Sequence, residues 1–118
     1  MIPSFERETS PLTDAEKKLI PLLIKGFQNY IGKKNAIPGS MIRKKLKLKN
    51  IKISGPRLRK MINHIRTKDK SIILCSCGNG YYIASNTDEI KETIKSIQHR
   101  VNSQLEIIDA LDNSLRMI

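Results

Sequence analysis

Fourteen of the chain's 22 basic residues fall between Lys33 and Lys70, where Asp69 is the sole acid. Fourteen positive charges against one negative leave that stretch at +13. The eight basic and ten acidic residues elsewhere come to −2, so the formal +11 of all 118 residues sits in one segment. Such a stretch can join a compact fold only if its cations face solvent and its few apolar residues point one way. Ile42 and Leu46, then Leu58, Met61, Ile62 and Ile65, recur at helical spacing, so two short amphipathic helices meet both demands. Localised positive charge on helices is the electrostatic footprint of a nucleic-acid binder, because each phosphate neutralised releases condensed counterions.

The core must be aliphatic, since aromatic residues make up only 4% and Trp is absent. No apolar run approaches the roughly 18 to 20 residues needed to cross a bilayer. Residues 1–11 carry Glu6, Arg7 and Glu8 without a signal-peptide apolar stretch, and the expected location is cytoplasmic. Cys75 and Cys77 are too few for a disulfide framework or a closed four-ligand zinc site, so reduced structural thiols are expected. No cofactor or metal is called for.

Along the chain, residues 1–11 read as a flexible tail. Thr13-Asp14-Ala15-Glu16 is a capping box. It opens a helix whose stripe is Ile20, Leu23, Ile24, Phe27 and Ile31, with Gly32 as terminator and Pro21 expected to bend it. Ala36-Ile37 reads as a short extended piece before Pro38. A second helix runs from Gly39 to about Leu46, and a third, capped by Ser54 with Pro56 in its first turn, reaches about Thr67. Ser71 to Cys77, Gly78-Asn79-Gly80 and Tyr81 to Ser85 form a hairpin. A long final helix starts at Thr87. The fold class is mainly α with a small β-hairpin, an α+β arrangement: a body over 12–85 and a long helix over 86–118.

The segment from Ile53 to Arg66, with a Ser cap, aliphatic core positions and interleaved Arg and Lys, resembles the recognition helix of winged helix-turn-helix proteins. Gly78-Asn79-Gly80-Tyr81-Tyr82-Ile83 resembles their returning wing strand. The likeness covers about Thr13 to Ser85, and small proteins of phages and bacterial mobile elements have similar segments. It implies duplex DNA as partner. It also implies that Tyr81 and Ile83 face the core, leaving Tyr82 outward, where a phosphate contact by its hydroxyl and a plain surface tyrosine are both open. Two departures stand out: a longer loop over 47–53, and a wing tip, Ser76 to Gly80, without Lys or Arg.

On the third helix the face opposite the apolar stripe holds Pro56, Lys60, Asn63 and Thr67, flanked by Arg57 and His64 on one side and Arg59 and Arg66 on the other. Lys60 and Asn63 are placed for base edges: Lys suits guanine acceptors, Asn suits adenine. Arg57, Arg59, Arg43, Lys44, Lys45 and Lys47 are expected to meet phosphates. His64 and Thr67 complete the candidate set, with a partly exposed surface histidine the alternative for His64. A single-strand stacking platform is not evident.

The final helix repeats Ile90, Ile94, Ile97, Val101, Gln104, Ile108, Leu111, Leu115 and Ile118 at alternating spacings of four and three, a heptad seam with one polar position. At 1.5 Å per residue it spans about 45 Å, too long for the small body to cover. Ile90 to Val101 are expected to lie against the first helix. Ile94, Ile97, Val101, Gln104, Leu105, Ile108, Leu111 and Leu115 are the candidate homodimer contacts. No catalytic constellation or phosphate-cradling glycine motif is present, so the chain reads as a non-enzyme. The expected function is dimeric, sequence-dependent duplex DNA binding, as a transcription regulator or a phage or mobile-element replication accessory. An adaptor that docks an acidic protein and a double-stranded RNA binder are the alternatives.

Overall fold

The structure, a computed structural model, describes residues 10–118. Apart from Ser10 and Pro11, the tail expected over residues 1–11 lies outside the described residues. Helix α1 spans Asp14–Phe27, α2 Gly39–Lys47 and α3 Gly55–His64. Strands β1 (Leu74–Cys77) and β2 (Gly80–Ile83) form an antiparallel hairpin, and α4 (Thr87–Arg116) ends the order. This is the expected mainly α layout with one small hairpin and a long last helix.

The Thr13 capping box is complete. Its hydroxyl accepts from the Glu16 backbone N–H at 3.1 Å, and the Glu16 carboxylate accepts from the Thr13 N–H at 2.9 Å. Pro21 lies inside α1 on its exposed side. The helix stops at Phe27, four residues short of the expected Ile31. Backbone pairing with β2 competes successfully for the chain there. Gly32 N–H donates to the Ile83 carbonyl and Ile83 N–H to the Tyr30 carbonyl, both at 2.8 Å, which holds Ile31 extended beside Ile83.

Ile37 is extended as expected and exchanges both backbone bonds with Tyr81, at 2.8 and 2.9 Å. Its closeness dictates Gly80, whose φ is +126°; a Cβ there would stand 2.1 Å from the Ile37 carbonyl oxygen. The stripes of α1 (Ile20, Leu23, Phe27), α2 (Ile42, Leu46) and α3 (Leu58, Met61, Ile62) converge with Ile37, Ile65 and Leu74 in one aliphatic core. Each such side chain, fully buried, contributes on the order of 1.5 to 3 kcal/mol. Past His64 the helix widens into a π-turn over Ile65–Asp69, closed by Lys70 in the left-handed region at φ 58°.

The hairpin has two covered faces. Leu74, Tyr81 and Ile83 pack on the main core, as expected for the last two. On the opposite face Cys75 and Tyr82 sit across from one another in register, and both are buried. Helix α4 lies along β1 on that side, where Thr93 is buried and its hydroxyl donates to the Ser76 carbonyl at 3.3 Å. The principal packing of α4 is therefore on the hairpin, which corrects the expectation that Ile90 to Val101 lie against the first helix.

Asn86 caps α4 by accepting from the Glu89 N–H at 3.0 Å. The Glu89 carboxylate in turn accepts from the backbone N–H groups of Ser85 and Lys33, each at 2.8 Å. Those two bonds fasten the first turn of α4 to the 3-10 turn over Lys33–Asn35. From residue 101 to the end every residue is exposed.

Candidate nucleic-acid interface

Helix α3 carries the largest share of the expected contacts. Ser54 caps it, accepting from the Arg57 N–H at 3.3 Å, and Leu58, Met61 and Ile62 fix its rotation by facing the core. That rotation leaves Arg59, Asn63 and Thr67 exposed, with Lys60 and His64 partly covered. The Thr67 hydroxyl donates to the Asn63 backbone carbonyl at 2.7 Å. On α2, Lys44, Lys45 and Lys47 are exposed and Arg43 is half-buried. The Arg43 guanidinium rests beside the start of α3, where a Cβ on Gly55 would come within 3.3 Å of it. Lys45 donates to the Tyr30 hydroxyl, its ammonium 5.1 Å from the Tyr30 ring centre.

Two of the expected contacts are buried. Arg57 is 6% exposed. Its Nε donates to Glu16 Oε2 at 2.9 Å and its Nη2 to Glu16 Oε1; the same guanidinium donates to the backbone carbonyls of Ser10 at 2.6 Å and Pro11 at 3.1 Å. Position 57 adjoins Leu58 at the edge of the apolar stripe, and α1 presents a carboxylate there, so the side chain turns inward instead of toward a phosphate. The Arg57 hydrogen bonds, helped by Thr13 and opposed by burial, pull the Glu16 carboxyl down from 4.5 to about 2.

Tyr82 is the second correction. It points away from the main core, as the resemblance implied, but is fully buried under α4. Burial raises its phenol above the ordinary value, partly offset by the neighbouring Thr93. The resemblance stops at Ser85 and so says nothing of a helix laid over the hairpin.

Between α3, the hairpin turn and α4 lies an open cleft of about 1080 Å³. Lys34, Arg59, Arg66 and Arg100 line it together with Asn63, Asn79 and Tyr81, and no carboxylate among the described residues does. Arg66 stands on the π-turn, its Nε donating to the Leu74 carbonyl at 2.8 Å and its guanidinium 5.9 Å from the Tyr81 ring centre. Its Nη2 is buried and meets no acceptor among the described residues. Burial, with the like charge of Arg100 adding to it, lowers the Arg66 guanidinium from its ordinary value. The sequence pattern does not single out Lys34 or Arg100. Arg100 borders the heptad seam between Ile97 and Val101, which is the one signal that it shares their side of the helix.

Of the expected homodimer contacts, Ile94, Leu105, Ile108, Leu111 and Leu115 are half or more exposed, and Val101 is 48% exposed. Gln104 is exposed and Ile97 half-buried. Cys75 and Cys77 are free thiols. Among the described residues no helix is long and apolar enough to cross a membrane. The chain matches no family model, and neither the curated proteins nor the solved structures compared with it give a match.

Proposed function

We propose that this chain binds double-stranded DNA as a homodimer, with residues 12–85 acting as a winged helix-turn-helix body and α3 as the groove-entering helix. The observation that carries the reading is the concentration of positive charge in one segment of the chain. The segment Lys33–Lys70 holds +13. Two of its fourteen cations, Lys33 and Arg57, form ion pairs with described carboxylates. Arg59 and Asn63 on α3, and Lys44 and Lys47 on α2, are exposed, in a form suited to phosphates and base edges. By the same resemblance the role is transcription regulation or replication of a phage or mobile element.

The bare half of α4 supports self-association. Ile108, Leu111 and Leu115, 53 to 71% exposed, continue the seam of Ile94 and Val101. Identical heptads are self-complementary, so a second copy is the occupant the pattern fits. Pairing would set two α3 helices on one duplex and favour a two-fold related site.

The test is duplex affinity by fluorescence anisotropy across a salt series. With four to eight phosphates neutralised per dimer, log K against log salt should slope at roughly −4 to −7. A flat response would reject the reading. Arg59→Glu combined with Lys44→Glu should abolish binding while circular dichroism stays unchanged, because both side chains are exposed. Leu111→Glu should yield monomers by sedimentation; a variant that stays dimeric would remove α4 as the contact.

A further inference from the structure

We infer that the cleft between α3, the hairpin turn and α4 seats the sugar–phosphate backbone of one DNA strand, with Arg66 and Arg100 supplying positive charge from two sides. The inference rests on the duplex-binding reading and adds a site to it.

Four observations converge. The cleft brings together Lys34, Arg59, Arg66 and Arg100, and among the described residues no Asp or Glu lines it. Four cations around one concavity without a counter-charge repel each other, so the arrangement is relieved by an anion. Secondly, Arg66 is anchored by its Nε on the Leu74 carbonyl while its buried Nη2 has no acceptor among the described residues. Arg66 also lines the cleft, and a guanidinium held by its Nε at the wall still has terminal N–H groups, in a fork whose geometry suits an oxyanion.

Thirdly, the hairpin turn at the near wall has glycine on both sides of Asn79. Gly80 is locked against the Ile37 carbonyl, and the Gly78-Asn79-Gly80 turn contributes small residues to the rim. A sugar–phosphate chain can therefore approach the turn closely. Fourthly, the turn itself carries no Lys or Arg. Helix α4, laid over the outer face of the hairpin, brings Arg100 to the place the turn leaves uncharged, with Ser96 and Gln104 on the same wall as neutral hydrogen-bonding groups. The proximal part of α4 is thus a third wall of the DNA site and not only a stem for dimerisation.

The experiment compares Arg100→Ala, Arg100→Lys and Lys91→Ala with the unmodified chain, measuring duplex affinity over a salt series. Arg100 and Lys91 are both exposed on α4, and Lys91 does not line the cleft. Arg100→Ala should weaken binding roughly tenfold and make the salt slope shallower by about 0.9 for each protomer, the signature of one lost phosphate. Arg100→Lys should restore the slope, and Lys91→Ala should match the unmodified chain. If the unmodified chain shifts no DNA, the duplex-binding reading itself fails. If it binds with a steep slope that Arg100→Ala leaves unchanged, the cleft assignment alone is overturned. An equal loss in Lys91→Ala would overturn it too, reducing Arg100 to general surface charge.

Discussion

Among the described residues, two ion pairs join distant parts of this chain, and they sit in opposite surroundings. Glu16 and Arg57 connect α1 to α3 with side chains about nine-tenths removed from solvent, and their partners include the backbone of Ser10 and Pro11. Lys33 and Glu92 connect the turn before α2 to α4 with both side chains more than half exposed, at 2.9 Å. The first pair is bidentate, with Arg57 Nε and Nη2 on the two Glu16 oxygens, and the second is a single contact. What separates them further is the water each partner would regain if the other were removed. A buried partner left alone regains almost none, whereas an exposed one is rehydrated and screened by salt. The cationic segment therefore contains both structural charge and charge available to a ligand, and burial separates them.

The sharpest way to break that contrast is Arg57→Ala. It leaves the Glu16 carboxylate buried without its partner and frees two backbone carbonyls, so a loss of about 3 to 5 kcal/mol is expected in urea unfolding. A loss under about 1 kcal/mol would mean the pair behaves as a surface contact. Replacing both members, Glu16→Leu with Arg57→Met, should recover much of the loss, because the penalty lies in the orphaned charge rather than in the missing attraction. Charge reversal at position 57 is for the same reason a poor probe of DNA binding, since it would unfold the body first.

Acid titration examines the same pair without mutation. The Glu16 carboxyl titrates at about 2 when folded against 4.5 ordinarily. A depressed carboxyl contributes its stability fully above 4.5, and that stability is lost as the pH falls from there toward 2. The drop in unfolding free energy over that window should be about 3 kcal/mol. Glu89 and Asp69 are also held below their usual values, by backbone and side-chain hydrogen bonds, and add to the slope in the same direction. Glu16→Gln should flatten most of the acid limb; an unchanged limb would assign it to other carboxyls.

Much of this fold was legible because local signals agreed with tertiary ones. The Thr13 capping box, the Ser54 cap with Pro56 behind it, and the glycine turn at 78–80 each specify a boundary by themselves. The apolar stripes of α2 and α3 then specify which side is inside. Failures came where a distant segment decided the outcome. Ile31 continues a helical stripe, yet the chain leaves the helix to pair with β2. Tyr82 alternates outward from the core, yet α4 covers it. Arg57 looks like one more cation on a basic helix, and only the three-dimensional approach of Glu16 reveals its role. The candidate site divides the same way: Arg59 and Asn63 follow from periodicity on one helix, whereas the cleft around Arg66 and Arg100 needs three elements placed side by side.

Weaker effects are expected at the exposed joint, and Glu89 comes first. Its carboxylate accepts three hydrogen bonds, from the Ser85 N–H and hydroxyl and from the Lys33 N–H. Glu89→Ala should fray the first turn of α4, which hydrogen exchange at residues 87–93 would report, while the core amides of α1 and α3 keep their protection. Uniform loss of protection across the body would show that α4 and the body unfold as one unit at this end.

The smallest effect belongs to Lys33. Its side chain contacts Glu92 in the open, where Coulomb attraction is weakened by water and holding two long side chains in one geometry costs entropy. A double-mutant cycle on Lys33→Ala and Glu92→Ala should give a coupling indistinguishable from zero in 1 M salt. The corresponding cycle on Glu16 and Arg57 should stay large there, because a desolvated pair is poorly screened. Lys33→Ala also removes one of the fourteen cations, so it should weaken duplex binding slightly at low salt without moving the unfolding midpoint. If the midpoint fell instead, Lys33 would have to be regrouped with Arg57 as structural charge, and burial would no longer separate the two classes.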